Sequence, residues 1–339
     1  MGGHVVTIYD MKDMSSTFGP RFPYPANHVV CAKAPDGVTI HLTGGFNQAA
    51  KNKNEGSFSH HYTLDTSKED AKWEPKPAMP FRRGAHGCDF MADGRMYCVG
   101  GGVSQWGPFK NDLMIYDPSD GSWQTGPPMP TPRDHIYETV IAIHNGKKLY
   151  VPGGRTSIKE DVEANDSHPL LFAQTNVVEI YDLETNQWNR VKDILAERAA
   201  IAVLPYKRNV IRSRANKKKK LDREPNLLLV GGEKFYGMSG KAETIIDEYD
   251  TVNDLYYCLE KLPWPYYGGG LGVYNDTMHV VGGSEWIGHS ATRRVMLYDL
   301  KGAPPPRQCF YEPMPVFDQW DRTWNKDKPW QDIRLKKEK

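Results

Sequence analysis

The sequence predicts an all-β protein built from one repeated unit of short strands. Three observations predict this class. Five apolar runs each end in a double glycine, a second apolar run follows each pair, and an aromatic residue stands downstream of each second run. A unit that recurs at a near-constant period buries its apolar face against its neighbours, so the period sets the architecture.

Composition bounds what the repeat can mean. With 339 residues, 39% hydrophobic and 11% aromatic, the chain can bury a substantial core. Its 31 Gly and 25 Pro favour many short strands and tight turns. A net charge of +1 gives no general attraction to nucleic acid or to a membrane surface. No apolar run of about 18 residues is present, so no membrane insertion is expected. The start, MGGHVVTIYD, lacks the basic and long apolar parts of a signal peptide. Cys31, Cys88, Cys98, Cys258 and Cys309 are too few and too scattered for a disulfide framework. A reducing, cytoplasmic setting is therefore expected.

In chain order the first runs are VTIHLTGG at Gly44-Gly45, GRMYCVGG at Gly100-Gly101, LYVPGG at Gly153-Gly154, NLLLVGG at Gly231-Gly232 and TMHVVGG at Gly282-Gly283. Their spacings are 56, 53, 78 and 51 residues. The second runs are HHYTLD at 60–65, LMIYD at 113–117, VVEIYD at 177–182, IIDEYD at 245–250 and VMLYD at 295–299. The aromatics fall at Trp73, Trp123, Trp188, Tyr256 and Phe310. Glycine permits backbone angles and close approach that a Cβ forbids, while an aromatic fills the wedge between neighbouring sheets. A third marker, MPFRRGAH at 79–86 and MPTPRDH at 129–135, has weaker copies in FPYPANH at 22–28, ILAERAA at 194–200 and LPWPYYG at 262–268.

Together these residues resemble the kelch motif, and the resemblance covers nearly the whole chain. It implies a six-bladed kelch β-propeller with four antiparallel strands per blade, the marker opening the innermost strand beside a central channel. The expected divisions are a half blade at 4–20, blades at 21–77, 78–127, 128–192, 193–260 and 261–313, and a closing half blade or tail at 314–339. HVVTIYD at 4–10 matches a third strand, with Phe18 near the fourth-strand aromatic. MPVFDQW at 314–320 restarts the marker, and PWQDIRL at 329–335 falls where a second strand belongs. The sixth blade is thus expected to be split between the two ends, which leaves no free sheet edge. Should the C-terminal half not be sheet, the N-terminal half offers an edge for β-augmentation by a partner.

Departures from the repeat hold the candidate sites. The loop 205–225, which includes Lys217, Lys218, Lys219 and Lys220, is a basic insertion in the fourth full blade. It is expected to be solvated; nucleic acid or another anionic partner, or a nuclear address, is the second reading. Trp106, Phe235, Tyr236 and Trp286 follow the double glycines by three to five residues, which puts them on one face as a protein or carbohydrate contact. The bland reading is that they cover their own blades. Trp320, Trp324 and Trp330 precede a basic end, an aromatic and basic anchor if that tail is not sheet. Arg82, Arg83, His86, Arg133, His135, His28 and Arg198 converge on the channel; hydrogen bonding between blades is their expected work, and binding of an anion or a metal is the second reading.

Catalysis finds no positive support. No nucleophile elbow, phosphate loop or HExxH occurs, and no metal or other cofactor is expected. Cys88 and Cys98 are placed symmetrically about Asp93-Gly94, as two buried thiols facing each other across a hairpin. The expectation is a non-enzymatic scaffold or adaptor subunit that binds other proteins through its loops and tail. The competing class is a carbohydrate-active or metal-dependent propeller enzyme, an oxidase or sugar mutarotase.

Overall fold

The computed structural model describes residues 5–47, 56–105, 107–157, 172–207, 224–236, 239–286, 291–301, 307–308 and 330–334. Strands and turns account for all regular structure among them. Five four-stranded antiparallel units follow one another. Blade one is β3 (Val30–Lys33), β4 (Thr39–Thr43), β5 (His61–Asp65) and β6 (Glu74–Pro75). Blade two is β7 (Gly87–Phe90), β8 (Met96–Val99), β9 (Leu113–Asp117) and β10 (Ser122–Gly126). Blade three is β11 (Ile141–Ile143), β12 (Lys148–Pro152), β15 (Val178–Asp182) and β16 (Gln187–Arg190). The hairpin of β13 (Arg155–Ser157) and β14 (Phe172–Gln174) is inserted in it.

Blade four is β17 (Ala202–Tyr206), β18 (Asn226–Val230), β21 (Ile246–Asp250) and β22 (Leu255–Cys258). It carries a hairpin of β19 (Glu233–Tyr236) and β20 (Ser239–Ala242), and a fifth strand, β26 (Arg307–Gln308), against β22. Blade five is β23 (Gly270–Tyr274), β24 (Thr277–Val281), β25 (Arg294–Asp299) and β27 (Trp330–Arg334). The second strand of each blade is the double-glycine run, and the third ends in the Tyr-Asp or equivalent pair. Both are buried nearly throughout, as strands sandwiched between neighbouring sheets must be. The cores lie between blades: Met96, Met114 and Cys98 pack on Val30 and Ala32 of blade one, and Leu113 and Val99 pack on Leu149 and Val151 of blade three.

The six-blade expectation needs correcting at the C-terminus. Trp330–Arg334 does not pair with the N-terminal strands; it is the fourth strand of blade five, with Trp330 opposite Tyr298 and Ile333 opposite Val295. That register is the repeat's own, for Trp123 stands opposite Tyr116, Trp188 opposite Tyr181 and Tyr256 opposite Tyr249. Trp330 therefore occupies the blade-five aromatic position assigned above to Phe310, and it is not part of a free tail. The chain leaves blade five after Asp299 and returns to it at Trp330, so spacing along the sequence misplaced the strand.

The N-terminal half blade does form: β1 (Val6–Tyr9) pairs with β2 (Ser16–Gly19). It sits against blade five through Tyr9 Oη and His279 Nδ1, 3.1 Å apart, and against blade one through Trp73 Nε1, which donates to Pro20 O at 3.2 Å. Phe18 is 77% exposed and fills no wedge. The other edge of β1 meets no strand among the described residues.

The cysteine reading is corrected too. Cys88 and Cys98 do oppose each other across the β7–β8 hairpin, but as a disulfide rather than two thiols. Cys258 is also disulfide-bonded, while Cys31 is free and exposed.

Candidate functional site

Each blade begins its inner strand from the same backbone kink. His28, Ala85, His135, Ala200 and Gly268 have φ of 51°, 54°, 52°, 49° and 67°, a left-handed turn that an ordinary side chain adopts at a cost of about 1 kcal/mol or more. Hydrogen bonds run from one to the next: Ala85 N to His28 O at 3.0 Å, Ile136 N to Ala85 O at 3.2 Å and Ala200 N to His135 O at 2.8 Å. These five residues ring the axis. Ala85 is small, so the His28 and His135 rings of blades one and three approach past it to 4.7 Å between centroids. Tyr137 stands edge-on to His28 at 5.3 Å.

A second ring comes from the residue after each double glycine, which bridges back to the residue before the kink. The pairs are Phe46 with Asn27, Gly102 with Gly84, Arg155 with Asp134, Glu233 with Ala199 and Ser284 with Tyr267. Only Arg155 and Glu233 bring charge to the ring. Arg155 Nε and Nη2 donate to the two Asp134 oxygens at 2.8 and 2.7 Å, and Nη2 also donates to Gln105 O at 3.0 Å. Its guanidinium lies 4.4 Å from the Phe172 ring centroid, with Phe109 and Phe235 behind it at 5.3 and 5.8 Å. A planar cation gains from such stacking.

Electrostatics distinguish the acids of this floor. Burial disfavours the Asp134 carboxylate, but the Arg155 and His135 contacts outweigh it and hold its pKa at about 2. Glu138 has no such cation. Burial raises it to about 8, a hydrogen bond from the Gly268 N–H opposes this, and the nearby Glu233 charge adds to it. Glu233 is itself raised by burial. Burial, with the His135 and Arg155 charges, pushes His28 well down. His28 Nδ1, Glu138 Oε2 and Glu233 Oε1 are buried without a hydrogen-bond partner among the described residues. The arrangement can donate to and accept from a polar group on the axis; it assembles no set of three metal ligands there among the described residues.

The marker arginines lie deeper and are committed to the fold. Arg133 donates to Gly153 O at 2.7 Å, Val177 O at 2.8 Å and Glu179 Oε2 at 2.7 Å. Arg83 pairs with Asp112, and Arg198 with Asp247 and Gly231 O. Their own carbonyls accept from the preceding blade's second glycine, Gly45 to Arg83, Gly101 to Arg133 and Gly154 to Arg198. His86 is one residue beyond the kink and points between blades one and two, where Nε2 lies 2.9 Å from Thr43 Oγ1.

Of the residues the sequence singled out, Phe235 joins the Arg155 cluster and Trp286 stands on the rim, 54% exposed. The Trp286 carbonyl accepts from Tyr267 Oη at 3.2 Å, which ties the rim to the ring. Tyr236 lies on β19. Trp106, Lys217–Lys220, Trp320 and Trp324 lie outside the described residues. Asp134, Arg155, Glu138 and Glu233 were missed. The signal was present for two of them, since Arg155 and Glu233 are charged where the other post-glycine positions hold Phe46, Gly102 and Ser284.

A kelch-motif family model matches residues 91–130, which span the second, third and fourth strands of blade two. The fold is a five-bladed β-propeller whose second blade carries a kelch motif. The chain is 23% identical over 298 residues to Kelch-like protein 25 of Rattus norvegicus, covering 76% of this chain and 45% of that protein. It is 26% identical over 212 residues to Kelch-like protein 40a of Danio rerio, covering 52% and 33%. To the kelch-like protein terF of Aspergillus terreus it is 22% identical over 261 residues, covering 72% and 49%. The chain thus spans less than half the length of these kelch relatives.

Proposed function

We propose that this propeller is a protein-interaction module, a scaffold or adaptor subunit that engages a partner protein on the face where the post-glycine loops meet the axis. The observation that carries this reading is Trp286. A tryptophan 54% exposed on the rim, joined through Tyr267 to a floor whose His28, Glu138 and Glu233 hold polar atoms without a hydrogen-bond partner among the described residues, has the form of an interface anchor beside a polar socket. Kelch-like relatives support a protein partner. The basic insertion with Lys217–Lys220 and the segment with Trp320 and Trp324 are proposed as secondary contacts of the same assembly.

The test compares affinity purification from the native source using the wild type, Trp286→Ala and Phe18→Ala. Proteins retained by the wild type and Phe18→Ala but lost from Trp286→Ala, with thermal stability unchanged in all three, support this face. Identical sets from all three refute it. No helix among the described residues is long and apolar enough to cross a membrane, so purification from an aqueous extract is the place to begin.

A further inference from the structure

One cluster lies away from the axial face, at the seam of blades one and two. Cys88 on β7 and Cys98 on β8 stand directly opposite each other, with Cα atoms 4.1 Å apart, near the spacing of a non-hydrogen-bonded antiparallel pair. His86 lies one residue before β7. One ligand atom from each of the three falls within 4.8 Å of the other two. His86 and Cys98 are fully buried and Cys88 is 6% exposed. Thr43 Oγ1, from β4 of blade one, lies 2.9 Å from His86 Nε2 and 3.6 Å from Cys88 Sγ.

The imidazole is held from two sides by the repeat itself. A Cβ at Gly44 would lie 2.8 Å from His86 Cε1, and one at Gly101 would lie 2.8 Å from His86 Cβ. The double glycines of blades one and two therefore give this ring its place. Its Nδ1 has no hydrogen-bond partner among the described residues.

We propose that Cys88, Cys98 and His86 form a redox-gated site for a thiophilic divalent metal ion of the zinc type, closed while the cysteines are joined and opened when a dithiol reductant separates them. The dithiol supplies two electrons and two protons and closes its own disulfide as Cys88–Cys98 becomes two thiols. The metal then displaces both thiol protons to solvent and binds two thiolates and the imidazole, with the Thr43 hydroxyl as a neutral oxygen beside them. Sulfur and imidazole nitrogen are the donors such an ion prefers.

Charge balance favours the same ion. Two thiolates neutralise a divalent cation, so the occupied site adds no net charge to the apolar seam of Val30, Ala32, Met96 and Met114. Because Thr43 belongs to blade one and the other three to blade two, metal binding would replace a clasp within one blade by a staple across two.

Cobalt(II) is the probe, because thiolate ligation gives it an intense near-ultraviolet charge-transfer band. The full chain, reduced with a phosphine under anaerobic conditions and freed of reductant, is titrated with cobalt and followed by circular dichroism. The proposal expects the band to saturate at one cobalt per chain, to be absent from the oxidised protein, and to be lost in Cys88→Ser/Cys98→Ser and in His86→Ala. Cys31→Ser should keep it. A folded, reduced wild type without the band overturns the proposal, as does a band retained by the double variant or by His86→Ala. If reduction alone unfolds the chain, recovery of both fold and band on adding cobalt supports the site, and failure to recover overturns it.

Discussion

The Trp188 indole nitrogen donates to the Pro127 carbonyl at 2.8 Å. Three other blades repeat this bond to the segment that leaves the blade before: Trp123 to Pro77 at 2.9 Å, Trp73 to Pro20 at 3.2 Å and, with a phenol in place of the indole, Tyr256 to Lys192 O at 3.2 Å. The fourth-strand aromatic is thus a hydrogen-bonded staple between blades as well as a filler. Trp188→Phe keeps the ring and removes the donor. It is expected to lower stability by about 1 kcal/mol, read from the midpoint of urea unfolding with the slope unchanged.

Glu138 predicts a pH dependence. Its pKa is raised from the usual 4.5 to about 8, so between these values the folded chain keeps a proton that the unfolded chain has released. Stability must then fall as pH rises from about 4.5, reaching its floor above pH 8. Glu138→Gln removes this slope and stabilises the fold at pH 8 and above by on the order of a few kcal/mol. Urea midpoints at a series of pH values check it: parallel curves for variant and wild type would refute the assignment.

Asp134 works in the opposite sense. Its pKa of about 2 lies below the usual 3.8, so the stability it contributes is complete above 3.8 and is lost as pH falls through about 2. Asp134→Asn leaves the Arg155 guanidinium buried without its carboxylate, a loss of about 3–5 kcal/mol. Replacing both residues, as in Asp134→Asn/Arg155→Met, is expected to cost less than the single change. Thermal unfolding of the three proteins at neutral pH decides this.

The double glycines can be separated from ordinary turn glycines. Gly154 has φ of 103°, and a Cβ there would lie 2.7 Å from Ile136 Cγ2 and 2.8 Å from Asp134 O, both across the boundary to the inner-strand start. Gly37 also has positive φ, 79°, but a Cβ there meets nothing within 4 Å. Gly37→Ala is expected to cost about 1 kcal/mol, the backbone term alone, and Gly154→Ala several times that. Equal losses in a denaturant series would show that close approach is not what Gly154 is for.

These contrasts explain what was legible in the sequence. Residues whose work recurs from blade to blade, such as Gly154 and Trp188 and, in three blades, the marker arginine Arg133, announce themselves by period, and the five blades follow from them. The axial floor did not, because Asp134 and Arg155 are 21 residues apart and meet only when strand and kink are folded. Glu138 acquires its altered proton affinity from burial, which no local pattern records. Cys88 and Cys98 were rightly set face to face by the Asp93-Gly94 turn, yet spacing alone does not tell a thiol pair from a disulfide. His86 was grouped with His28 and His135 by its motif; a shift of one residue past the kink sends it to the neighbouring blade.

The position of Trp330–Arg334 gives the last prediction. Val295, Met296 and Tyr298 on β25 are almost wholly buried, and β27 pairs along their outer edge. Removing residues 330–339 would leave β25 as an unpaired apolar edge of the kind that drives association of sheets. The truncated chain is expected to be less stable by several kcal/mol and to self-associate in sedimentation velocity. Gln331→Pro, opposite Leu297, should give a milder form of the same defect, because proline removes a backbone donor without removing the strand. A truncated chain that stays monodisperse and as stable as the wild type would show that β27 is dispensable, and with it the fourth strand of blade five.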